Sequence, residues 1–361
     1  MRLHRLKLKN YRNYEELNIE FDSKIHFFIG DNAQGKTNLL ESIYMLALTK
    51  SHRTNKDREL IYWGKEFASI HCDLTLFNRD TQLEVNIFPH GKKVLINRID
   101  QRKISNYLGK LKVVLFAPED LQLIKGSPNQ RRKFMDRALG QIRPKYINQL
   151  SQYQKVLLQR NQLLKDSFKN SSLRNTIDIW DCQLLEYGSS VIDIRQQFIQ
   201  EIGKLAQRIH FEITEGIEQL NLYYDANCLV TNFREKIEKS RERDFQTGTT
   251  NVGPHRDELQ FTINDIDAKI FGSQGQQRTV ALSLKLAELE YMKMQIGDMP
   301  ILLLDDVLSE LDIRRQKQLL DSINDSVQTF VTTTDVSGIK HEILKQSDFF
   351  YIKQGNILKK T

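Results

Sequence analysis

The eight residues Gly30-Asp31-Asn32-Ala33-Gln34-Gly35-Lys36-Thr37 match G-x-x-x-x-G-K-[ST] at every fixed position. The glycines let the backbone curl until successive amide N–H groups point inward, which makes a pocket for two phosphates. Lys36 can then reach the β- and γ-phosphates, and the Thr37 hydroxyl is a hard oxygen donor of the kind Mg²⁺ prefers. A second pair able to do chemistry is Asp305-Asp306, which ends the apolar run Pro300-Ile-Leu-Leu-Leu304. Asp305 suits the magnesium, held through water, and Asp306, one residue on, suits a general base that polarises an attacking water. A third is Ser273-Gln-Gly275-Gln276. A serine and a glycine opening a helix form an anion site or, more simply, a helix cap. The implied chemistry is binding and hydrolysis of ATP with magnesium.

Those residues need a particular order of elements. Ile25-His-Phe-Phe-Ile29 has the length and aromatic content of a buried strand, and Leu39, Leu40, Ile43, Met45, Leu46 and Leu48 suit a helix. Strand, glycine loop, helix is the order a phosphate-binding loop requires. Before it, Leu6 and Leu8, then Leu17, Ile19 and Phe21, alternate with polar residues and predict an antiparallel hairpin turning at Asn10 to Asn13. The strand ending at Leu304 delivers its two carboxylates to the C-terminal edge of a parallel sheet, where ligands bind in α/β folds. Val280, Leu284, Ala287 and Tyr291 predict a long helix after Ser273.

The chain has 361 residues, 40% hydrophobic and 27% charged, which fits one large globular domain or two ordinary ones and excludes a disordered or collagen-like chain. No apolar run approaches the roughly eighteen residues of a spanning helix. The N-terminus alternates apolar and basic residues where a secretory signal needs an unbroken apolar core, so a cytoplasmic protein is expected. Cys72, Cys182 and Cys228 are far apart and lack metal-ligand spacing, which supports neither a disulfide framework nor a zinc site. The net charge of +7 is very uneven. From Lys125 to Lys169, eleven Lys or Arg face only Asp136 and Asp166, a net of +9. Smaller basic clusters sit at Arg2 to Arg12, Lys50 to Arg58 and Lys92 to Lys112. Together they point to a polyanionic partner, with Arg131, Arg132, Lys133, Lys56 and Arg58 as candidate contacts to it, the DNA-binding residues once the resemblance below is taken into account.

With Leu6-Lys-Leu-Lys-Asn-Tyr-Arg-Asn-Tyr14, Phe116-Ala-Pro-Glu-Asp-Leu121, Lys125-Gly-Ser-Pro128, Arg131-Arg132, Gly253-Pro-His-Arg-Asp257 and Leu302 to Asp312 added to the motifs above, the chain resembles the SMC, Rad50 and RecF group of ABC-type ATPases over nearly its full length. Within that group it is most similar to the bacterial recombination mediators. The resemblance implies an α/β fold, a P-loop ABC-type ATPase head with a mainly helical inserted second domain. The head is expected at residues 1–119 and 246–361, and the basic insertion at 120–245. It implies two ATP molecules sandwiched in a head-to-tail homodimer, Ser273 and Gly275 touching the γ-phosphate held by the partner's Lys36, and Asp312 at the seam. It further implies weak, DNA-stimulated ATPase activity and binding to single strands, gapped duplex or duplex/single-strand junctions. The cellular setting implied is gap repair, replication and SOS induction, with the mediators RecR and RecO as partners.

Two positions depart from the ABC pattern. Asp306 stands where most members carry glutamate, and its shorter side chain predicts slow hydrolysis. Thr334-Asp335 stands where many carry a switch histidine, and an ionised aspartate cannot donate to a phosphate. The metal-sensing glutamine is Gln122 or Gln130. In the insertion, Tyr146 to Leu164 and Ile177 to Leu205 carry apolar residues at a/d spacing, which predicts two antiparallel helices, the second of about thirty residues and about 45 Å. Tyr146 and Trp180 are read as core, and His255 either as part of a structural turn or as a DNA or nucleotide contact. Other readings are a head serving a nuclease partner, a DNA clamp with a vestigial nucleotide site, and a transporter ATPase. The short insertion disfavours the first, retention of Lys36, Thr37 and Asp305 the second, and the basic insertion and absent switch histidine the third.

Overall fold

Alternating burial turns the first twenty residues into a hairpin. Arg2–Tyr11 and Tyr14–Glu20 pair antiparallel, with Leu6 opposite Ile19 and Leu8 opposite Leu17, so that the apolar members share one face. The computed structural model describes residues 1–312, 315, 316, 319, 327–336 and 344–360. The hairpin begins a six-stranded antiparallel sheet in the order Tyr14–Glu20, Arg2–Tyr11, Ala68–Leu76, Arg79–Phe88, Gly91–Ile96, Ile99–Asp100. A second six-stranded sheet runs Asn356–Lys360, Ser347–Lys353, Ile25–Ile29, Thr329–Thr333, Ile301–Asp305, Val113–Phe116. The five strands from Ser347–Lys353 to Val113–Phe116 are parallel, and Asn356–Lys360 adds antiparallel at the other edge as the second strand of a C-terminal hairpin. The runs Ile25–Ile29, Ile301–Asp305 and Val113–Phe116 are apolar nearly throughout because both faces of this sheet are covered.

The helix Lys36–Leu48 contacts strands of both sheets, and eleven of its thirteen residues are buried. Its weak amphipathicity in sequence follows from that placement, since a helix covered all round needs no polar face. Glu41, enclosed within this helix, is held by the Arg12 guanidinium through two bonds of 2.8 Å. One apolar cluster joins the helix to the two sheets, from Leu3 and Leu6 through Leu40 and Ile43 to Leu303 and Phe350. These parts make one compact unit, Met1–Asp120 with Glu288–Thr361.

The second unit is Leu121–Ala287. It carries the helices Pro128–Ile142, Pro144–Asp166, Ile177–Ile213 and Phe233–Thr247, and a three-stranded sheet in the order Ile266–Asp267, Glu258–Ile263, Leu220–Asp225. Arg160 pairs with Asp181 at 2.7 Å and Arg195 with Tyr146 at 3.0 Å, contacts that require the two long helices to run antiparallel. The second spans 37 residues, about 55 Å at 1.5 Å per residue and longer than expected. Tyr146 is buried and Trp180 packs on the core around Leu184 and Phe233.

The expected boundary at residue 245 is corrected: the unit continues to Ala287 and the boundary falls within the helix Gln274–Ile296. Two interactions hold the extra segment. Glu258–Ile263 pairs with Leu220–Asp225, and the Arg131 fork grips Glu258 at 2.6 and 2.7 Å.

Candidate nucleotide site

The strand Ile25–Ile29 ends at Gly30, where a side chain would collide with the carbonyl oxygen of Ile352. The chain then turns through Ala33 (φ 63°) and Gly35 (φ 114°) before the helix begins at Lys36. Gly35 has a second constraint, since a Cβ would press on the Asn13 amide and the Tyr14 hydroxyl. Asp31, Asn32 and Ala33 form the exposed crest of the loop, with Gln34 half-buried behind them.

Lys36 is 6% exposed, and its ammonium donates to the carbonyl of Gly30 and, at 3.0 Å, to that of Asp31. Burial pushes its pKa down, against the pull of Asp306, Asp31 and Asp305. The cation thus rests on the loop that would surround a phosphate. Thr37 donates to Asp305 Oδ1 at 2.9 Å, and Thr332 donates to the same oxygen at 2.8 Å. Parallel pairing sets this up: Asp305 lies opposite Thr332 on the next strand, which in turn pairs with Ile25–Ile29. Asp305 is 5% exposed; burial raises its pKa, and the two threonine hydroxyls oppose the rise. A buried carboxylate beside a threonine hydroxyl is a hard-oxygen pair that fits Mg²⁺. The inward-curled loop with Lys36 fits the phosphates of a nucleotide.

Asp306 sits at φ 53°, in the left-handed region, with its N–H donated to Thr332 Oγ1 at 2.9 Å. Ser309 Oγ donates to the Asp306 carbonyl at 2.7 Å and lies 3.2 Å from its carboxylate. These bonds re-aim the chain after the strand, so that two consecutive acids take different surroundings. Asp335 follows Thr333 at the same sheet edge, in a turn closed by the Thr333 hydroxyl, and is exposed. Asp312 is exposed and pairs with Arg315 at 2.6 Å. Thr332 escaped sequence reasoning because only the strand register shows that it faces Asp305. Asn13 and Tyr14 lie within a recognised motif, but nothing in their spacing ties them to the loop.

Ser273, Gly275 and Gln276 belong to the second unit. Ser273 is exposed, and its hydroxyl accepts the Gln276 N–H at 3.2 Å while Gln276 Oε1 accepts the Ser273 N–H at 2.9 Å. That is a reciprocal cap. The other end of the Gln276 amide donates to Glu218 at 2.9 Å. Both ends of the Gln276 amide are thus used in shaping the helix start. Gln130 likewise caps its helix by accepting the Ser127 N–H at 2.7 Å, whereas Gln122 is exposed.

The candidate DNA contacts divide. Arg131 is 2% exposed and bound to Glu258 and to the carbonyls of Leu123, Ile124 and Gly126, so it is not available to a phosphate backbone. Arg132 is half-buried and donates to the Asp257 carbonyl at 2.6 Å. Lys133, Lys56 and Arg58 are exposed. His255 is half-buried, with Nδ1 2.6 Å from the Tyr153 hydroxyl and Nε2 3.0 Å from the Thr250 carbonyl, and both ring nitrogens are used inside the unit. The reading of His255 as part of a structural turn is the one this geometry fits.

The model of the RecF/RecN/SMC N terminal domain matches residues 2–352. The DNA replication and repair protein RecF of Bacillus cytotoxicus is 48% identical over 362 residues, which cover 98% of this chain and 97% of that protein. The chain belongs to the RecF family. A RecF of Bacillus cereus is 49% identical over 363 residues, with the same coverage. A solved structure of the recombination mediator RecF with ATP, from the RecFOR pathway, superposes with a TM-score of 0.92 at 32% identity and covers 99% of this chain and 97% of that one. The Smc head of Pyrococcus furiosus bound to a ScpA domain, at TM-score 0.56 and 16% identity over 99% of this chain and 95% of that one, shares the fold. The RecF-family architecture is thus the ABC ATPase head with an inserted unit.

Proposed function

We propose that this chain is an ATP-dependent DNA-binding protein of replication and repair, a recombination mediator in which two copies close over two ATP molecules and grip DNA in the closed state. The observation that carries the reading is the Thr37–Asp305 hydrogen bond beneath the glycine loop. It joins the two motifs that ATP with magnesium requires, residues 268 positions apart in sequence. The names of the RecF relatives and the RecF–ATP structure support the same reading.

In this account Lys36 and the loop amides bind the β- and γ-phosphates, and Thr37 and Asp305 hold Mg²⁺, which supplies charge neutralisation on the phosphate oxygens. Asp306 orients the attacking water. Its short side chain makes hydrolysis slow, so ATP serves mainly as a dimerisation switch. Ser273 of one protomer caps the γ-phosphate bound by the other. Exposed cations, among them Lys133, Lys56 and Arg58, contact phosphates of gapped duplex or junction DNA without reading sequence. RecR and RecO are the proposed protein partners, and the cytoplasm is the proposed location. Among the described residues no helix is long and apolar enough to cross a membrane.

Sedimentation with and without ATP and magnesium tests the switch. The native chain should dimerise only with ATP, Lys36→Ala should stay monomeric and bind no nucleotide, and Ser273→Arg should bind ATP yet stay monomeric. Dimerisation of Ser273→Arg to the native extent would remove that residue from the interface.

A further inference from the structure

A loop whose amides face inward must turn its carbonyls outward, and each outward carbonyl needs a donor. In this chain the donors can be named. Gly30 and Asp31 are served by Lys36, and Gly35 by the Tyr14 hydroxyl at 3.0 Å. The Gln34 carbonyl receives two bonds from distant segments: the Gly355 N–H at 3.0 Å and the Asn13 amide at 3.2 Å. The Gln34 side-chain oxygen receives a third, from the Gln354 N–H at 2.8 Å.

Gln354 and Gly355 form the turn between the last two strands, Ser347–Lys353 and Asn356–Lys360. Gly355 has φ 74°, and a Cβ on it would collide with the Asn13 carbonyl oxygen. No other residue type fits there without moving Asn13. Asn13 in turn accepts from Asn38, in the first turn of the loop helix, at 2.8 Å. The same C-terminal hairpin touches the other end of the loop, where the Ile352 carbonyl leaves no room for a side chain on Gly30. The C-terminal hairpin therefore meets the glycine loop at Gly30 and at Gln34, and Asn13 bonds the same Gln34 carbonyl.

We propose that the Gln354–Gly355 turn and Asn13 form a brace that presets the glycine loop for the diphosphate of a nucleotide, with Asn13 and Gly355 as positioning residues. The proposal rests on the nucleotide-binding reading above. A loop already ordered avoids the conformational entropy that a mobile one loses on binding, so the brace contributes affinity without touching the ligand. It acts at the loop start and at Gln34, and so bears equally on ADP and ATP.

The test is titration of the full chain with fluorescent mant-ADP and mant-ATP in magnesium, beside thermal unfolding without nucleotide. Asn13→Ala, Asn13→Asp and Gly355→Ala should each weaken both nucleotides about five- to ten-fold, the effect of losing one or two hydrogen bonds. Asn13→Asp keeps the acceptor for Asn38 and loses the donor to Gln34 but adds a negative charge, so Asn13→Ala, which adds none, separates the lost bond from charge repulsion. The Asn13→Ala, Gly355→Ala double variant should be no weaker than the worse single one, since both act through Gln34. Affinities within about two-fold of native in folded variants would overturn the brace, as would a fall in melting temperature alone. If Gly355→Ala fails to fold, the two Asn13 variants still decide. Failure of the native chain to bind either nucleotide would instead sink the nucleotide reading, and the brace with it.

Discussion

Asp305 meets two opposed demands. In the proposed site its carboxylate must be ionised to hold a magnesium ion, yet it is almost fully enclosed, and burial raises its pKa. Thr37 and Thr332 offset the cost with one hydrogen bond each to the same oxygen. A carboxylate whose folded pKa lies above its unfolded value costs stability at neutral pH, a cost that fades as pH falls and the group protonates. Asp305→Asn keeps the acceptor for both threonines and removes the buried charge. It should raise the melting temperature of the nucleotide-free chain by a few degrees while abolishing magnesium-dependent ATP binding, an exchange of function for stability. A melting temperature below native would contradict it. Lys36, Thr37 and Asp305 were legible from motif spacing alone. The resting place of the Lys36 ammonium on the Gly30 and Asp31 carbonyls was not, because the backbone path through Ala33 and Gly35 decides it.

Hydrophobic periodicity placed the two long helices of the second unit, and the buried positions Tyr146, Tyr153, Leu184, Val191 and Phe198 follow the expected stripe. What periodicity could not show is the charge between them. Arg160 is fully enclosed and donates through Nε and Nη1 to Asp181, Asp244 and Thr250, leaving Nη2 buried without a partner, and Arg195 is bound by Asp136, Asp257 and the Pro254 carbonyl. Pattern reading assigns arginine to solvent, so the net charge of the 125–169 segment overstated the cations on its surface. Arg131 and Arg160 are internal there, and the exposed ones include Lys125, Lys133, Arg137, Lys145 and Lys155.

Gly253-Pro-His-Arg-Asp257 is the hub of this element: Asp257 accepts from Asn227, Tyr224 and Arg195, and His255 links Tyr153 to Thr250. Burial, with Arg256 and Arg132 nearby and Asp244 in partial opposition, lowers the His255 pKa to about 4. The unfolded imidazole titrates near 6.5, so between these values the unfolded chain binds more protons. Stability should therefore fall as pH drops from about 6.5 to about 4, by up to about 3 kcal/mol. Denaturant unfolding across that range should show the slope in the native chain and a flatter one in His255→Ala. Equal slopes would mean that other groups carry it.

At the scale of the molecule, the fold class was legible because a glycine loop and a strand ending in two acids leave few architectures that bring them to one sheet edge. The end of the inserted unit was not, since it depends on the pairing of Glu258–Ile263 with Leu220–Asp225, a contact between segments that no local pattern links. In the proposed function DNA binding is likewise a property of the whole, assigned to exposed cations whose effect depends on how two copies close. Reversing Arg131 would test the fold, because it breaks an enclosed ion pair with Glu258. Lys133 and Arg137 are the cations to reverse in a binding test. The most direct measurement is the affinity for a labelled gapped duplex with and without ATP, at two salt concentrations, for the native chain, Ser273→Arg and Lys133→Glu/Arg137→Glu. ATP should tighten binding only when Ser273 is intact, and the double reversal should lower the salt slope by about one to two units. Equal affinity with and without ATP in the native chain would contradict the claim that the ATP-closed dimer is the state that grips DNA.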